Sequence, residues 1–251
     1  LATGARARIL NLPGADRARS LRTVDDSRSL ASALSARSRL VIVGAGWIGL
    51  EVAAAARTRG VEVTVLEAAQ LPLVNVLGPT LAQYLADLHQ SHGVDLRCEV
   101  QVAEVLVADS LAIGVRTAEQ EFHGDTVLIA AGATPDIQLA TDAGLRIENG
   151  IETDEKFFTS DPKIMAIGDV ANSWHGRLNA RLRVEHWDNA IRQGRAAAEV
   201  GAAGVAEAAS RCVLRAAVRA EPAFGYRLFG RRDRRAAAIT EPRAFGKFRA
   251  A

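Results

Sequence analysis

The sequence predicts an α/β protein with doubly wound parallel sheets, arranged as two domains of one design. The first observation is an apolar run, Leu40–Val43, that leads into a glycine-rich turn, a helical pattern and a second strand pattern. The second is that the opening letters "LATGAR" and the later stretch Val127–Asp136, "VLIAAGATPD", share the form of a buried strand that ends in a turn. Two such strand ends predict two sheets, of which the first lacks its beginning.

Length and composition fit this class. The 251 residues are 49% hydrophobic and 24% charged, the balance of a globular protein with a sizeable core. No apolar run approaches the roughly 20 residues that span a bilayer, so we expect no membrane association. The two cysteines, Cys98 and Cys212, are distant and form no CxxC pair, which favours free thiols in a cytoplasmic protein.

A glycine-rich turn is the strongest local motif. Gly44, Gly46 and Gly49 follow the strand Leu40–Val43 directly, in the pattern GxGxxG. In this pattern the first glycine permits a tight turn, the second lets the backbone approach a pyrophosphate, and the third lets helix and strand pack closely. The N-terminus of the next helix offers unpaired N–H groups to the phosphates. The turn therefore predicts a dinucleotide site.

The residues after the turn support that prediction. Glu67 ends the second strand 23 residues after Gly44, where an acid accepts hydrogen bonds from the adenine-ribose hydroxyls. Ala68–Gln70 bring no arginine for a 2′-phosphate, so NAD is predicted rather than NADP. A helix is predicted from the spacing of Ile48, Val52, Ala55 and Ala56, and Gly60 ends it. The next strand is predicted from the alternation of Val61, Val63 and Val65.

A second helix is predicted from Pro79, in its first turn, to a stop at Gly93. His89 and His92 lie on its final turn and are expected to be exposed helix-end histidines. No third ligand is near in sequence, so we expect no metal site. The leucines that share one face of this helix are Leu81, Leu85 and Leu88.

A β-rich stretch completes this predicted domain. Its last strand ends in the small residues Ala130–Ala133, which let a flat ring come close to the backbone. The predicted strands are Val100–Val107, Leu111–Arg116 and Thr126–Ile129.

Farther along, Ile164–Ile167 predicts another buried strand, with Gly168 and Asp169 at its carboxyl end. Ligands of open α/β sheets bind at such ends, which makes Asp169 a candidate binding residue; capping of a helix is the alternative role. The stretch Val184–Gly201 predicts a helix with one face formed by Trp187, Ile191, Gly194 and Ala198.

Together these motifs resemble the FAD-dependent, NADH-using ferredoxin reductases of bacterial oxygenase systems, of the putidaredoxin, rhodocoxin and biphenyl-dioxygenase reductase type. The resemblance runs from Leu1 to about Val200. The motif "RVEHWDNA" points to this branch of the wider flavoprotein class. The motifs that carry it, in order, are "LATGAR", "LRTVDDS", "VIVGAGWIGLEVA", "LGPTLAQYLADLHQSHGVDLR", "IAAGATPD", "NGIETDEKFFTSDPKIMAIGDVA" and "RVEHWDNAIRQGRAAA".

The resemblance implies nested domains, because in this family the NAD domain is inserted into a discontinuous FAD domain. Full members begin with a further FAD segment, so the FAD domain of this chain is expected to be incomplete. The implied divisions are 1–36 for the end of the first FAD segment and a linker, 37–148 for the NAD-binding domain, 149–200 for the second FAD segment, and 201–251 for a tail unlike the family's interface domain.

The resemblance also implies site residues and an activity. Hydride would pass from NADH to FAD, and electrons would then pass to a ferredoxin-type iron–sulfur protein. Glu51 matches a catalytic glutamate near the nicotinamide, whose lysine partner in relatives has no counterpart here. The implied NAD contacts are Gly44, Ala45, Gly46, Trp47, Ile48, Gly49, Glu67, Ala131 and Gly132. The implied FAD contacts are Thr3, Gly4, Arg6, Gly168, Asp169, Glu185, His186 and Trp187.

Other functions stay open at this stage. One is an NADH-binding remnant of such a reductase without catalytic competence. Another is a related disulfide reductase: a thioredoxin-reductase type is disfavoured because no CxxC is present, whereas a glutathione-reductase type keeps its cysteines in a segment that precedes this one.

The C-terminal stretch 211–251 is strongly basic, with ten arginines, one lysine and three acids within a chain of net charge +2. Its arginine- and alanine-rich composition favours high-GC coding sequence read out of frame. A disordered basic tail and a nucleic-acid-binding arm are the alternatives. We expect no nucleic-acid partner, because aromatic residues are sparse and no binding motif is present.

Overall fold

A computed structural model describes residues 1–203, in two compact units. One unit consists of Ala7–Gly132, and the other of Leu1–Arg6 with the described residues from Ala133 onward. The predictions for the basic tail and for Cys212 lie outside the described residues. The helices are α1 (Val24–Ala33), α2 (Trp47–Thr58), α3 (Val74–Ser91), α4 (Gln138–Asp142) and α5 (Trp187–Ala203).

The strands are short, as is usual for α/β folds. In chain order they are β1 (Ala5–Ala7), β2 (Arg39–Val43), β3 (Glu62–Leu66), β4 (Val94–Arg97), β5 (Val102–Ala108), β6 (Leu111–Thr117), β7 (Glu121–His123), β8 (Thr126–Ile129), β9 (Ala133–Pro135), β10 (Ile151–Thr153), β11 (Ala171–His175) and β12 (Ala180–Leu182).

The unit Ala7–Gly132 is centred on a parallel sheet of order β4-β3-β2-β8. Leu40–Val43 of β2 is buried, as expected for a strand covered on both sides. Leu40 and Ile42 pack with residues of α2, whereas Val41 and Val43 pack with Val105 and Val115 of the antiparallel sheet β5-β6-β7. The predicted doubly wound α/β class is thereby confirmed.

The strands predicted for this unit are present, but two of its strands, β4 and β7, were not predicted. β8 has the predicted bounds, β6 extends one residue farther than predicted, and β5 begins two residues later than predicted. The sequence analysis missed β4, although Val94 and Leu96 are buried and alternate with exposed Asp95 and Arg97. Alternation over only four residues is a weak signal, and pairing with β3 stabilises this edge strand.

The helix predicted at Pro79 begins there, because Gly78 (φ 71°, ψ 169°) interrupts the helical path of α3. The expectation of an exposed His89 is wrong. His89 is fully buried and shares the inner face of α3 with Ala82 and Ala86. Of the predicted leucine face, Leu81 is exposed and Leu85 and Leu88 are only partly buried.

The second unit contains the sheet β10-β11-β12, in which β10 and β11 are parallel and β11 and β12 antiparallel. The predicted strand Ile164–Ile167 is not formed. Neighbouring backbone holds the run: Ala166 N–H donates to Phe157 O (2.9 Å), Thr159 N–H donates to Ile164 O (2.9 Å) and Ile167 N–H donates to Leu1 O (3.0 Å). The pairing with Phe157–Thr159 amounts to one isolated bridge, Phe158 with Met165, and the run leads into a 3₁₀ turn, Gly168–Val170.

The helix predicted within Val184–Gly201 is present as α5, and the face that was singled out from its sequence is not the face that packs inward. Trp187 and Ile191 are exposed. The inward face combines two amides with two apolar residues, so hydrophobic spacing alone does not predict it. The buried residues of α5 are Asn189, Gln193, Ala196 and Val200.

Candidate functional site

The glycine turn between β2 and α2 is shaped by two close contacts. Gly44 has φ 106°, and a Cβ atom there would lie 2.6 Å from the carbonyl oxygen of Ala130. A Cβ atom at Gly49 would collide with the carbonyl oxygen of Gly44. Both positions therefore require glycine, and the helix meets the turn at the separation that a dinucleotide fold needs.

Gly46 differs from both neighbours, because its surroundings are open. It is the N-cap of α2 with extended backbone (φ −75°, ψ −174°), and a Cβ atom there would meet no atom within 4 Å. Within the part of the chain that the structure describes, no side chain caps this helix end. The N–H groups of the first turn of a helix have no intrahelical partners, so the space beside Gly46 is suited to an anion such as a pyrophosphate.

Glu67 lies at the end of β3 and binds the same turn. Its Oε2 accepts a hydrogen bond from Ala45 N–H (2.6 Å), and its Oε1 accepts one from Ala69 N–H (2.8 Å). A carboxylate oxygen has more than one lone pair, so both oxygens keep capacity for ribose hydroxyls. Ala68 and Gln70 beside it are exposed and bring no positive charge.

The small residues after β8 approach the turn from the next strand. Ala130 N–H donates to Val43 O (2.8 Å), and a Cβ atom at Gly44 would lie 3.4 Å from Ala131 N. Gly132 has φ 94° and is exposed. The structure thus brings Ala131 and Gly132 to the same sheet edge as the glycine turn.

The side chain of Glu51 is exposed on α2, one turn after the exposed Trp47 and next to Ile48. It lines a groove of about 340 Å³ between α1 and α2. The groove has apolar walls that include Leu30 and Val52. The NAD candidates and Glu51 all belong to the compact unit Ala7–Gly132.

The N-terminal motif "LATGAR" forms hydrogen bonds to Asp136, which was not among the predicted site residues. Arg6 donates from Nε (2.9 Å) and Nη2 (2.8 Å) to Asp136 Oδ2, and Thr3 Oγ1 donates to Asp136 O (2.6 Å). Asp136 N–H in turn donates to Gly4 O (2.9 Å). Three FAD candidates are therefore fixed by one aspartate, and the repeated strand-end form of the two motifs was its only sequence signal.

Asp169 lies in the 3₁₀ turn Gly168–Val170 rather than at a strand end. Gly168 N–H donates to the buried Gln193 Oε1 (2.7 Å), and Arg183 Nη1 donates to Asp169 O (3.3 Å). Sequence reasoning missed both side chains, because buried glutamine and arginine give no periodic signal. The structure thereby connects the Asp169 turn to α5.

The remaining FAD candidates lie at the start of α5. Glu185 forms an ion pair with Arg183, and the ring of His186 stacks on Trp187 with centroids 5.6 Å apart. Trp187 is 67% exposed. Asn189 Oδ1 is buried and has no hydrogen-bond partner among residues 1–203. A buried acceptor of this kind is satisfied in most proteins, so this helix start fits a ligand with a hydrogen-bond donor.

Titratable groups outside these sites have local explanations. Burial, and to a lesser extent the charge of His92, lowers the pKa of His89 to about 4. Burial, followed by the charges of Glu67 and Glu99, raises the pKa of the Cys98 thiol. Within the described residues, no group of three or more His, Cys, Asp or Glu side chains could hold a metal ion, and no helix is long and apolar enough to cross a membrane.

This fold and its glycine turn define a class. The chain belongs to the pyridine nucleotide-disulphide oxidoreductase family, whose model matches residues 1–194. It is 42% identical over 198 residues to rhodocoxin reductase of Rhodococcus erythropolis, covering 78% of this chain and 46% of the relative. It is 37% identical over 209 residues to putidaredoxin reductase CamA of Pseudomonas putida, covering 80% and 49%.

Solved structures agree with these relatives. The ferredoxin reductase for the CYP199A2 system from Rhodopseudomonas palustris matches with a TM-score of 0.76 and 37% identity, over 79% of this chain and 50% of that one. The covalent putidaredoxin reductase–putidaredoxin complex matches with a TM-score of 0.76 and 35% identity, over 80% of this chain and 50% of the matched chain. The chain thus spans about half the length of the relatives it matches.

Proposed function

We propose that this chain is part of an NADH-dependent flavoprotein reductase, which passes hydride from NADH to FAD and then electrons to a ferredoxin-type iron–sulfur protein. The observation that carries the proposal is the turn at Gly46, which is open and uncapped although close packing requires glycine at Gly44 and Gly49. An open helix N-terminus beside a strand-end acid is the arrangement that binds a dinucleotide pyrophosphate.

In this proposal the unit Ala7–Gly132 binds NADH. The pyrophosphate lies against the backbone of residues 44–49, Glu67 accepts hydrogen bonds from the ribose hydroxyls, and Ala131 and Gly132 leave room for the nicotinamide ring. Glu51 supplies a negative charge on the same helix. Its role is electrostatic, since no protein acid or base is needed to transfer hydride between two cofactors.

The flavin would be held by Thr3, Gly4, Arg6, Gly168, Asp169, Glu185, His186 and Trp187. The fit is supported by the exposed Trp187, by the buried, unpartnered acceptor of Asn189 and by the fixed position of Asp169. FAD supplies the redox chemistry when bound, because it accepts two electrons as hydride and releases them singly. The protein residues orient it and set the local charge.

The proposed partner follows from what the relatives are named for. Two relatives are named as reductases of rhodocoxin and putidaredoxin, another is named a ferredoxin–NAD(+) reductase subunit, and one matching structure is a reductase–putidaredoxin complex. We also propose a cytoplasmic location, which rests on the sparing use of cysteine in the sequence.

A second candidate function is binding of NADH without electron transfer by this polypeptide. It is favoured by the position of all NAD candidates in one compact unit, while the chain spans about half the length of its relatives. The proposed domain limits, 37–148 for NAD and 1–36 with 149–200 for FAD, are part of the same proposal.

One experiment separates these functions. The purified chain is titrated with NADH and with FAD, and NADH-driven reduction of a ferredoxin is then assayed. We expect micromolar NADH binding that Gly46→Val abolishes, because its side chain fills the open space, whereas Gly201→Val, in another open position, leaves binding unchanged. NADH binding without FAD binding or ferredoxin reduction supports the second candidate. Unchanged NADH affinity in Gly46→Val contradicts both.

A further inference from the structure

We infer that Gln193 and Arg183 are positioning residues for the flavin, because they clamp the Gly168–Asp169 turn from opposite ends. This inference rests on the proposed function, which places Asp169 against the ribityl chain. It assigns a binding role to two side chains that would otherwise count as ordinary parts of the core.

Gln193 holds the beginning of the turn. Its side chain is 2% exposed, and its Oε1 accepts the hydrogen bond of the buried Gly168 N–H at 2.7 Å. A buried amide is costly unless its polar atoms are bonded, and a buried peptide N–H needs an acceptor. Gly168 itself has φ 74°, so no strand or helix neighbour provides that acceptor along a regular ladder. Gln193 therefore fixes the peptide that precedes Gly168.

Arg183 holds the end of the turn. Its side chain is 12% exposed; Nη1 donates to Asp169 O (3.3 Å), and Nε donates to Asn149 Oδ1 (3.2 Å). Glu185 forms an ion pair with the same guanidinium, which fixes its orientation. A guanidinium offers five donors in a rigid plane, so Arg183 can bind all three groups together. It fixes the peptide that follows Asp169.

The contacts of Gln193 and Arg183 both restrict the backbone around Asp169. Gln193 fixes the peptide before Gly168, Arg183 fixes the peptide after Asp169, and Gly168 O between them accepts a hydrogen bond from Ala171 N–H, so the backbone that sets the direction of the Asp169 Cα–Cβ bond is held on both sides. A binding residue held in this way loses little entropy when a ligand arrives, which raises affinity. We therefore expect the clamp to change flavin affinity and not merely protein stability.

The test uses the full chain and four variants. Gln193→Met removes the acceptor at similar volume, and Gln193→Glu keeps an acceptor, since a buried glutamic acid takes up a proton and retains a carbonyl oxygen. Arg183→Met removes the second contact, and Gln83→Met makes the first change at an exposed site on α3. FAD and riboflavin are titrated by quenching of flavin fluorescence, NADH affinity is measured separately, and urea denaturation reports stability.

We expect Gln193→Met and Arg183→Met each to weaken binding of both flavins about tenfold, the typical effect of one hydrogen bond. Gln193→Glu should restore affinity, Gln83→Met should leave it unchanged, and NADH affinity should be the same in all five proteins. If Gln193→Met and Arg183→Met lower the urea midpoint but leave flavin affinity unchanged, this inference is wrong and the proposed function is unaffected. NADH binding without any flavin binding by the unmodified chain overturns the flavin half of the proposed function, and this inference with it. If Gln193→Met does not fold, the flavin affinities of Arg183→Met and Gln193→Glu test the inference instead.

Discussion

At the scale of the residue, Glu67 has two roles that can be separated. Its carboxylate accepts a hydrogen bond from Ala45 N–H of the glycine turn, and in the proposed function it also accepts hydrogen bonds from the ribose of the dinucleotide. A 2′-phosphate would be repelled by this charge, and Ala68 beside it offers no compensation.

We therefore predict a preference for NADH over NADPH of at least about tenfold, the effect of roughly 1.4 kcal/mol. The pair Glu67→Ala and Ala68→Arg should reverse it, and Glu67→Gln should weaken it while leaving the turn bonded to an amide oxygen. Dissociation constants for both nucleotides measure this. Equal affinity of the unmodified chain for NADH and NADPH would contradict the ribose assignment.

His89 predicts a pH dependence of stability. Its pKa is lowered to about 4 in the folded protein, mainly by burial, whereas the unfolded chain titrates near 6.5. Between these values the unfolded state binds more protons, so the free energy of unfolding falls as the pH drops from 6.5 towards 4, by up to roughly 3 kcal/mol.

His89→Leu should reduce this loss, because no buried imidazole remains to be charged on unfolding. The urea midpoint measured from pH 7 to pH 4.5 checks the prediction, and His123→Gln, at an exposed position, serves as the matched control. The same acid slope in His89→Leu and in the unmodified chain would be evidence against it.

At the scale of the element, the N-termini of two helices in the unit Ala7–Gly132 differ in their capping. α1 begins with a complete capping box: Asp26 N–H donates to Thr23 Oγ1 (3.1 Å) and Thr23 N–H donates to Asp26 Oδ2 (2.8 Å). The N–H groups of Thr23 and Arg22 lower the pKa of Asp26. Among residues 1–203, no side chain caps the N-terminus of α2.

Thr23→Ala should lower stability by about 1 kcal/mol, since it removes one cap, and should leave NADH affinity unchanged. Gly46→Ser, which offers α2 a cap of the same kind, should instead reduce NADH affinity. Chemical denaturation and NADH titration of both variants test this difference. The prediction is wrong if Thr23→Ala also lowers NADH affinity, or if Gly46→Ser changes only stability.

The elements also show what sequence reasoning can reach. β2, β3 and β8 were predictable because each contains a continuous run or an alternation of apolar residues in its own sequence. The buried face of α5 was not, since two of its inward side chains are amides that bond to backbone groups outside the helix, Asn189 to Val184 O and Gln193 to Gly168 N–H. Asp136 was not either, because its bonds to Arg6 join positions 130 residues apart, for which a single sequence contains no spacing rule.

At the scale of the whole molecule, we predict that a fragment of residues 7–132 folds alone and binds NADH as the full chain does. Its core includes Leu30 and Ala15, and Arg19 pairs with β8 through Val127 and Ile129. A fragment of residues 37–148, the limits implied by family resemblance, lacks these contacts and should be less stable. Cooperative unfolding and NADH titration of the two fragments measure this. Equal stability would show that residues 7–36 contribute little.

The backbone bond between Arg8 N–H and Gly132 O (3.0 Å) has a consequence for the order of folding. It brings the two chain ends of the unit Ala7–Gly132 together, so that, once folded, this long insertion behaves as a short connection between Arg6 and Ala133. The first six residues can then find partners far ahead, such as Met165, whose carbonyl accepts from Leu1 N across 164 positions, at little cost in loop-closure entropy. During synthesis the insertion can fold first, and its folding prepares the discontinuous unit for assembly as the later residues appear.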